Sequence, residues 1–146
     1  MLENLTIEEK IGQMLMFGTN SSNIEPICNL IKNYKIGGVI LYKKNYSSYK
    51  KMLEVIKKLK DANKDNKLPL FIAIDQEGGV LNRLPNDIEN IKNIYDVSKK
   101  DNIDLIKEHA DIISNILYNS GINMNFSPVL DIYNNSNSCV LNKRCF

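Results

Sequence analysis

The sequence predicts an α/β fold in which helices alternate with buried parallel strands, and three observations lead there. Two uninterrupted apolar runs, Val39-Ile40-Leu41 and Leu70-Phe71-Ile72-Ala73-Ile74, are bounded by turn residues, as strands buried on both faces require. Between them lies an amphipathic stripe of Tyr49, Met52, Leu53, Ile56 and Leu59, with Lys50, Lys51, Lys57, Lys58 and Lys60 on its solvated side. Each stretch between candidate strands is also long enough for the helical crossover that joins parallel neighbours.

Taken in order, Thr6-Ile7-Glu8-Glu9 fits a capping box, because the Thr6 hydroxyl can accept from the Glu9 amide while Glu9 reaches back. A helix therefore starts there, with Ile7, Ile11, Met14 and Leu15 at helical spacing, and Met16-Phe17-Gly18 reads as a short strand. Ile24, Ile27 and Ile31 mark a second helix that tolerates Pro26 in its first turn, and Gly37-Gly38 ends that connection. After the two apolar strands and the lysine-backed helix comes a polar loop. Ile106, Ile113 and Leu117 then give an amphipathic helix over residues 101–119, stopped by Ser120-Gly121, and residues 122–127 read as the last strand.

No repeat, linker or low-complexity tract divides residues 1–146. A doubly wound sheet would carry Gly-x-Gly-x-x-Gly after its first strand, and that pattern is absent. A β/α barrel fits better. Such a barrel takes ~250 residues, so four strands amount to about its first half, an incomplete domain over 1–146.

Composition narrows the function. A net charge of +2, with Lys scattered among Asp and Glu, offers no basic stripe for a row of phosphates, so nucleic acid is not an expected partner. Cys28, Cys139 and Cys145 are odd in number and at no metal or redox spacing, which reads as free thiols in a reducing compartment. The N-terminus lacks the charged start and apolar stretch of an export signal, and no run approaches the ~18–20 apolar residues of a membrane span. A cytoplasmic protein without a membrane partner is expected.

In barrels the βα loops gather at the carboxyl ends of the strands, which is where Asp75 and Asp131 stand. Asp75-Gln76-Glu77-Gly78-Gly79 sets two carboxylates two residues apart, ahead of two glycines that permit a tight turn and close backbone approach to a ligand. Residues i and i+2 of an extended chain share a face, ~6.6 Å apart along it, so Asp75 and Glu77 are candidates for a glycosidase carboxylate pair. Equally open is an arrangement in which one caps the loop backbone and the other pairs with Arg83. A metal site from Asp75, Glu77 and Asp131 gains no support without His or a loop of alternating oxygen ligands. No cofactor is implied.

The segment from Pro69 through Asp75-Gln76-Glu77-Gly78-Gly79 to Arg83-Leu84 closely resembles the signature region of glycoside hydrolase family 3, in its bacterial β-N-acetylglucosaminidase branch. Ile11-Gly12-Gln13-Met14, Gly37-Gly38-Val39-Ile40-Leu41-Tyr42 with Asn45, Gly121-Ile122-Asn123, Phe126-Ser127-Pro128-Val129-Leu130-Asp131 and Arg144-Cys145-Phe146 resemble the family's other blocks in order. The first block is highly specific; the rest persuade as an ordered set.

The resemblance implies a (β/α)8 barrel enzyme that releases nonreducing-end N-acetylglucosamine from cell-wall or chitin-type saccharides with retention. It implies that Asp75 accepts hydrogen bonds from sugar hydroxyls, that Arg83 and Arg144 line the same subsite, and that Gln76, Glu77, Gly78, Gly79 and Asp131 brace the loops around it. Val80 replaces a usual second arginine, and Asn142 and Cys145 replace small residues beside Arg144. The family's Lys-His-Phe-Pro-Gly-His-Gly segment, its Asp-x-His acid/base loop and its nucleophilic aspartate correspond to positions beyond Phe146. The resemblance thus implies no catalytic residue in this chain, and His109, mid-helix, is not expected to substitute. Alternatives are a noncatalytic carbohydrate-binding half barrel, or a family member of other sugar specificity. An open barrel would expose strand edges at Met16-Phe17 and at residues 123–127, through which self-association is expected.

Overall fold

A computed structural model describes residues 2–132 and 143–146. Among the described residues, α-helices α1 (Ile7–Gln13), α2 (Glu25–Tyr34) and α3 (Tyr49–Asn63) alternate with strands β1 (Met16–Gly18), β2 (Gly38–Leu41) and β3 (Phe71–Ile74), and α4 (Ile94–Ser98) and α5 (Ile103–Ser120) lead to β4 (Met124–Asn125). The strands lie in the order β1-β2-β3-β4, every pair parallel, with Met16 beside Gly38 and Gly38 beside Phe71. Sequential parallel strands joined by helices are the repeating unit of a β/α barrel, and the connections place all four carboxyl ends at one rim.

The local signals act as expected. Thr6 Oγ1 accepts from the Glu9 amide at 3.2 Å and Glu9 Oε2 accepts from the Thr6 amide at 2.8 Å, closing the capping box of α1. Gly121 ends α5 at φ 85°, a left-handed conformation that a side chain would disfavour. Three features differ from the sequence expectation. The polar loop after β3 contains α4, capped by Asn93. The stripe of α1 is not buried: Ile7 and Ile11 are more than half exposed and Met14 is 85% exposed. This helix docks through backbone instead, with the Gly37 amide donating to the Gly12 carbonyl at 2.9 Å and Gly12 so close to Tyr34 that a β-carbon would stand 2.0 Å from its carbonyl oxygen.

The third difference is β4, which is shorter than residues 122–127 because asparagine side chains take over ladder positions. Asn123 Oδ1 accepts from the Ile72 amide at 2.7 Å while its Nδ2 donates to the Leu70 carbonyl at 2.9 Å. Backbone pairing registers Ala73 with Met124 and Ile74 with Asn125, flanked by Asn123 N donating to Ile72 O and Phe126 N to Ile74 O.

The core lies between the sheet and its helices. Val39, Leu41, Ile72 and Ile74 alternate onto one face and pack with Ile31 of α2, Met52, Ile56 and Leu59 of α3, and Ile113 and Leu117 of α5. The opposite face, with Gly38, Ile40, Phe71 and Ala73, corresponds to a barrel interior, and Phe71 there is 50% exposed. Burial on both faces, as read from the apolar runs, therefore holds fully only on the helix side. Cys28 and Cys145 are buried, and burial, then Glu25, raises the Cys28 thiol above its ordinary range. Cys139 and Asn142 lie outside the described residues. No helix among the described residues is long and apolar enough to cross a membrane.

Candidate functional site

The chain leaves β3 at Ile74 and enters Asp75-Gln76-Glu77-Gly78-Gly79 with side chains pointing to different tasks. Asp75 stays partly exposed, whereas Gln76 and Glu77 are buried. Gly78 and Gly79 adopt φ of 86° and 60°, and a β-carbon on Gly78 would stand 2.6 Å from the Lys92 carbonyl oxygen. The turn needs glycine for both reasons. It is closed by the amides of Glu77 and Gly78, which share the Leu81 carbonyl at 3.2 Å each, and by Gly79 N donating to Ile91 O at 2.6 Å.

Glu77 meets Arg144 end to end: Nε donates to Oε2 at 3.0 Å and Nη2 to Oε1 at 2.8 Å. Such a bidentate pair fixes the guanidinium plane. The bond to Glu77 raises the Arg144 pKa, burial opposes it, and the charges of Glu77 and Asp75 add to it, so Arg144 stays cationic. Asp75 also faces Arg83, whose Nη2 lies 3.7 Å from Asp75 Oδ2 and whose guanidinium carbon sits 5.6 Å from the centroid of the Tyr42 ring. Asp75 thus pairs loosely with Arg83 while its charge also favours cationic Arg144, so a partly exposed carboxylate shares this rim with two cations. That set can accept from and donate to the hydroxyls of a polar ligand at once.

Arg83 itself is held by its backbone. Its amide donates to Gln76 Oε1 at 2.8 Å, and its carbonyl accepts from the Tyr46 hydroxyl at 2.9 Å. Burial of Tyr46 raises its phenol pKa. Buried Asn45 ties the loops after β1 and β2 together, accepting from Tyr42 N and donating to Thr19 O and Ser21 O, all at 2.7 Å.

Of the residues singled out from sequence, Asp75, Gln76, Glu77, Gly78, Gly79, Arg83 and Arg144 come together at this rim. Between the readings left open for the two carboxylates, Asp75 is the one beside Arg83, and Glu77 pairs with Arg144 rather than capping backbone. Asp131 has an exposed side chain, and its backbone carbonyl accepts from Phe146 N at 3.1 Å, which brings the segment after β4 to the chain's last residue. Among the described residues no cluster of three or more His, Cys, Asp or Glu is arranged to hold a metal. His109 lies in α5, with Nε2 2.7 Å from the Lys92 carbonyl oxygen. Sequence reasoning missed Tyr46 and Asn125 and the bonding of Gln76. An asparagine within a strand pattern, which is otherwise a poor strand former, was the available signal.

The model of the family described as "Glycosyl hydrolase family 3 N terminal domain" matches residues 6–146. Beta-hexosaminidase A of Pseudoalteromonas piscicida is 35% identical over 127 residues, which is 82% of this chain and 21% of that protein. The beta-hexosaminidase of Tolumonas auensis is 33% identical over 119 residues, 80% of this chain and 34% of that protein. Among solved structures, a glycoside hydrolase family 3 beta-N-acetylglucosaminidase from Paenibacillus sp. superposes with a TM-score of 0.87 at 33% identity, over 94% of this chain and 26% of that one. A family 3 glycosyl hydrolase from Mycobacterium smegmatis has the same fold, with a TM-score of 0.83 at 21% identity, over 100% of this chain and 43% of that one. The chain spans less than half the length of each of these proteins. Signature loop, strand order and matched residues agree: the chain belongs to glycosyl hydrolase family 3, as the first four β/α units of its N-terminal barrel domain.

Proposed function

We propose that this chain supplies the nonreducing-end sugar subsite of a retaining β-N-acetylglucosaminidase barrel acting on cell-wall or chitin-type saccharides in the cytoplasm. The observation that carries the reading is Asp75, partly exposed beside the Arg83 guanidinium at the carboxyl rim of the sheet, next to the Glu77–Arg144 pair. Asp75 would accept from two sugar hydroxyls, the arginines would donate to sugar oxygens, and Glu77 and Asp131 would brace the loops. The names of the relatives, beta-hexosaminidase and beta-N-acetylglucosaminidase, support this substrate class. Nucleophile and acid/base belong, by the motifs present, to a further part of such a barrel, so the 146-residue chain binds sugar weakly and hydrolyses nothing.

The test is a purified sample given a chromogenic N-acetylglucosaminide and, separately, N-acetylglucosamine monitored by NMR. No turnover, with saturable sugar binding lost in Asp75→Ala, is expected. Turnover that disappears in Asp75→Ala would place the chemistry in this chain and overturn the assignment.

A second reading is favoured by the half-exposed Phe71 and the exposed Phe17 on edge strand β1: the sheet associates with a second copy. Sedimentation equilibrium at tens of micromolar should find dimer or larger species. A monodisperse monomer with a cooperative melt would remove this reading.

A further inference from the structure

Gln76 stands between two carboxylates that face different arginines, and its side-chain oxygen and both of its main-chain groups are held. Its side chain is fully buried, and Oε1 accepts from both the Arg83 amide at 2.8 Å and the Leu84 amide at 3.2 Å. Two N–H donors on one atom fix which end of the amide is oxygen, because the flipped group would set NH2 against them. Its main chain is held by Asn125, whose Oδ1 accepts from Gln76 N at 2.9 Å and whose Nδ2 donates to Gln76 O at 3.1 Å. Asn125 ends β4, so a side-chain amide prolongs the β3–β4 ladder past the point where the backbones part. Among the described residues Gln76 Nε2 and Arg83 Nε are buried donors without a protein acceptor.

We propose that Gln76, backed by Asn125, is a positioning residue for the sugar site: it fixes the Cα of Arg83 and the exit angle of Asp75 while leaving the Arg83 guanidinium to turn onto a sugar oxygen. This rests on reading Asp75 and Arg83 as that site. The contrast within Arg83 carries it. Both backbone groups are anchored by buried side chains, Gln76 and Tyr46, whereas among the described residues its head has a 3.7 Å ion pair and a ring at 5.6 Å. A pinned base with an adaptable head costs little ordering when a ligand arrives.

The experiment is an NMR titration of the 15N-labelled 146-residue chain with N-acetylglucosamine, reading the backbone amides of Arg83 and Leu84 and the Arg83 Nε–H. In the wild type, the Arg83 Nε–H should shift saturably. Gln76→Met keeps the bulk but loses the acceptor, and should displace both backbone amides and weaken binding by about fivefold or more. Gln76→Glu keeps an oxygen facing Arg83 and Leu84, and should recover most of the affinity, a rescue that a merely space-filling role would not give. A folded Gln76→Met chain with wild-type affinity and an unmoved Arg83 signal overturns the proposal. Should that variant not fold, Asn125→Asp decides in its place: unchanged sugar affinity overturns the proposal, and weaker binding with a moved Arg83 signal supports it. If Asp75→Asn binds like the wild type, or the wild type shows no saturable shift, the site reading itself falls and the positioning role with it.

Discussion

The two faces of one short sheet differ more than the sequence of either strand suggests. On the helix side Val39, Leu41, Ile72 and Ile74 are buried among α2, α3 and α5; one residue along the same backbones, Ile40 is half-buried and Phe71 is 50% exposed. Both sets are apolar. The difference lies in which partner each face has within the chain, and it separates residues that hold this segment folded from residues suited to contacts beyond it.

The most direct way to break the comparison is Ile74→Ala, which should cost ~2–5 kcal/mol by urea denaturation because the surrounding helices cannot fill the cavity. Next is the loop that continues the same strand: Glu77→Ala removes the bidentate carboxylate from Arg144 and should cost ~1–3 kcal/mol, discounted because Arg144 keeps some access to water. Removing the α1 cap with Thr6→Ala should cost about 1 kcal/mol or less, since this helix buries little of its apolar stripe. The hydrogen bond from Thr6, then Lys67, lowers the Glu9 pKa, so the capping contribution is present at neutral pH and lost as acid titrates through that lowered value. Smallest is Phe71→Ser on the open face, within about 1 kcal/mol of wild type by the same urea curve. A loss as large as that of Ile74→Ala would show that the two faces are equally loaded and would end the contrast.

What the sequence revealed follows the range of the interactions. Val39-Ile40-Leu41 and residues 70–74 announce strands because their neighbours are turn residues, and Thr6 with Glu9 announces a helix start because the bonds span three residues. The Asp75 to Gly79 loop was legible through its two glycines, whose left-handed φ the fold requires. Glu77 with Arg144 was not, for the partners are 67 residues apart and nothing local distinguishes Arg144 from another exit for Glu77. The end of β4 was overestimated for a related reason. Periodicity registers which positions are apolar, but not that Asn123 and Asn125 side chains substitute for backbone in the ladder.

That substitution gives the β3–β4 seam a chemical lifetime as well as a strength. Asn123 and Asn125 each present an oxygen to an amide of β3 or its continuation and a nitrogen to a carbonyl. Hydrolysis of either side-chain amide to aspartate, water entering and ammonia leaving, would leave the first bond in place and turn the second into two oxygens facing one another at ~3 Å, a repelling contact across the junction. Backbone ladders have no such route of decay. Age alone, with no change in the gene, can therefore unpick this seam from the side that carries the Gln76 loop.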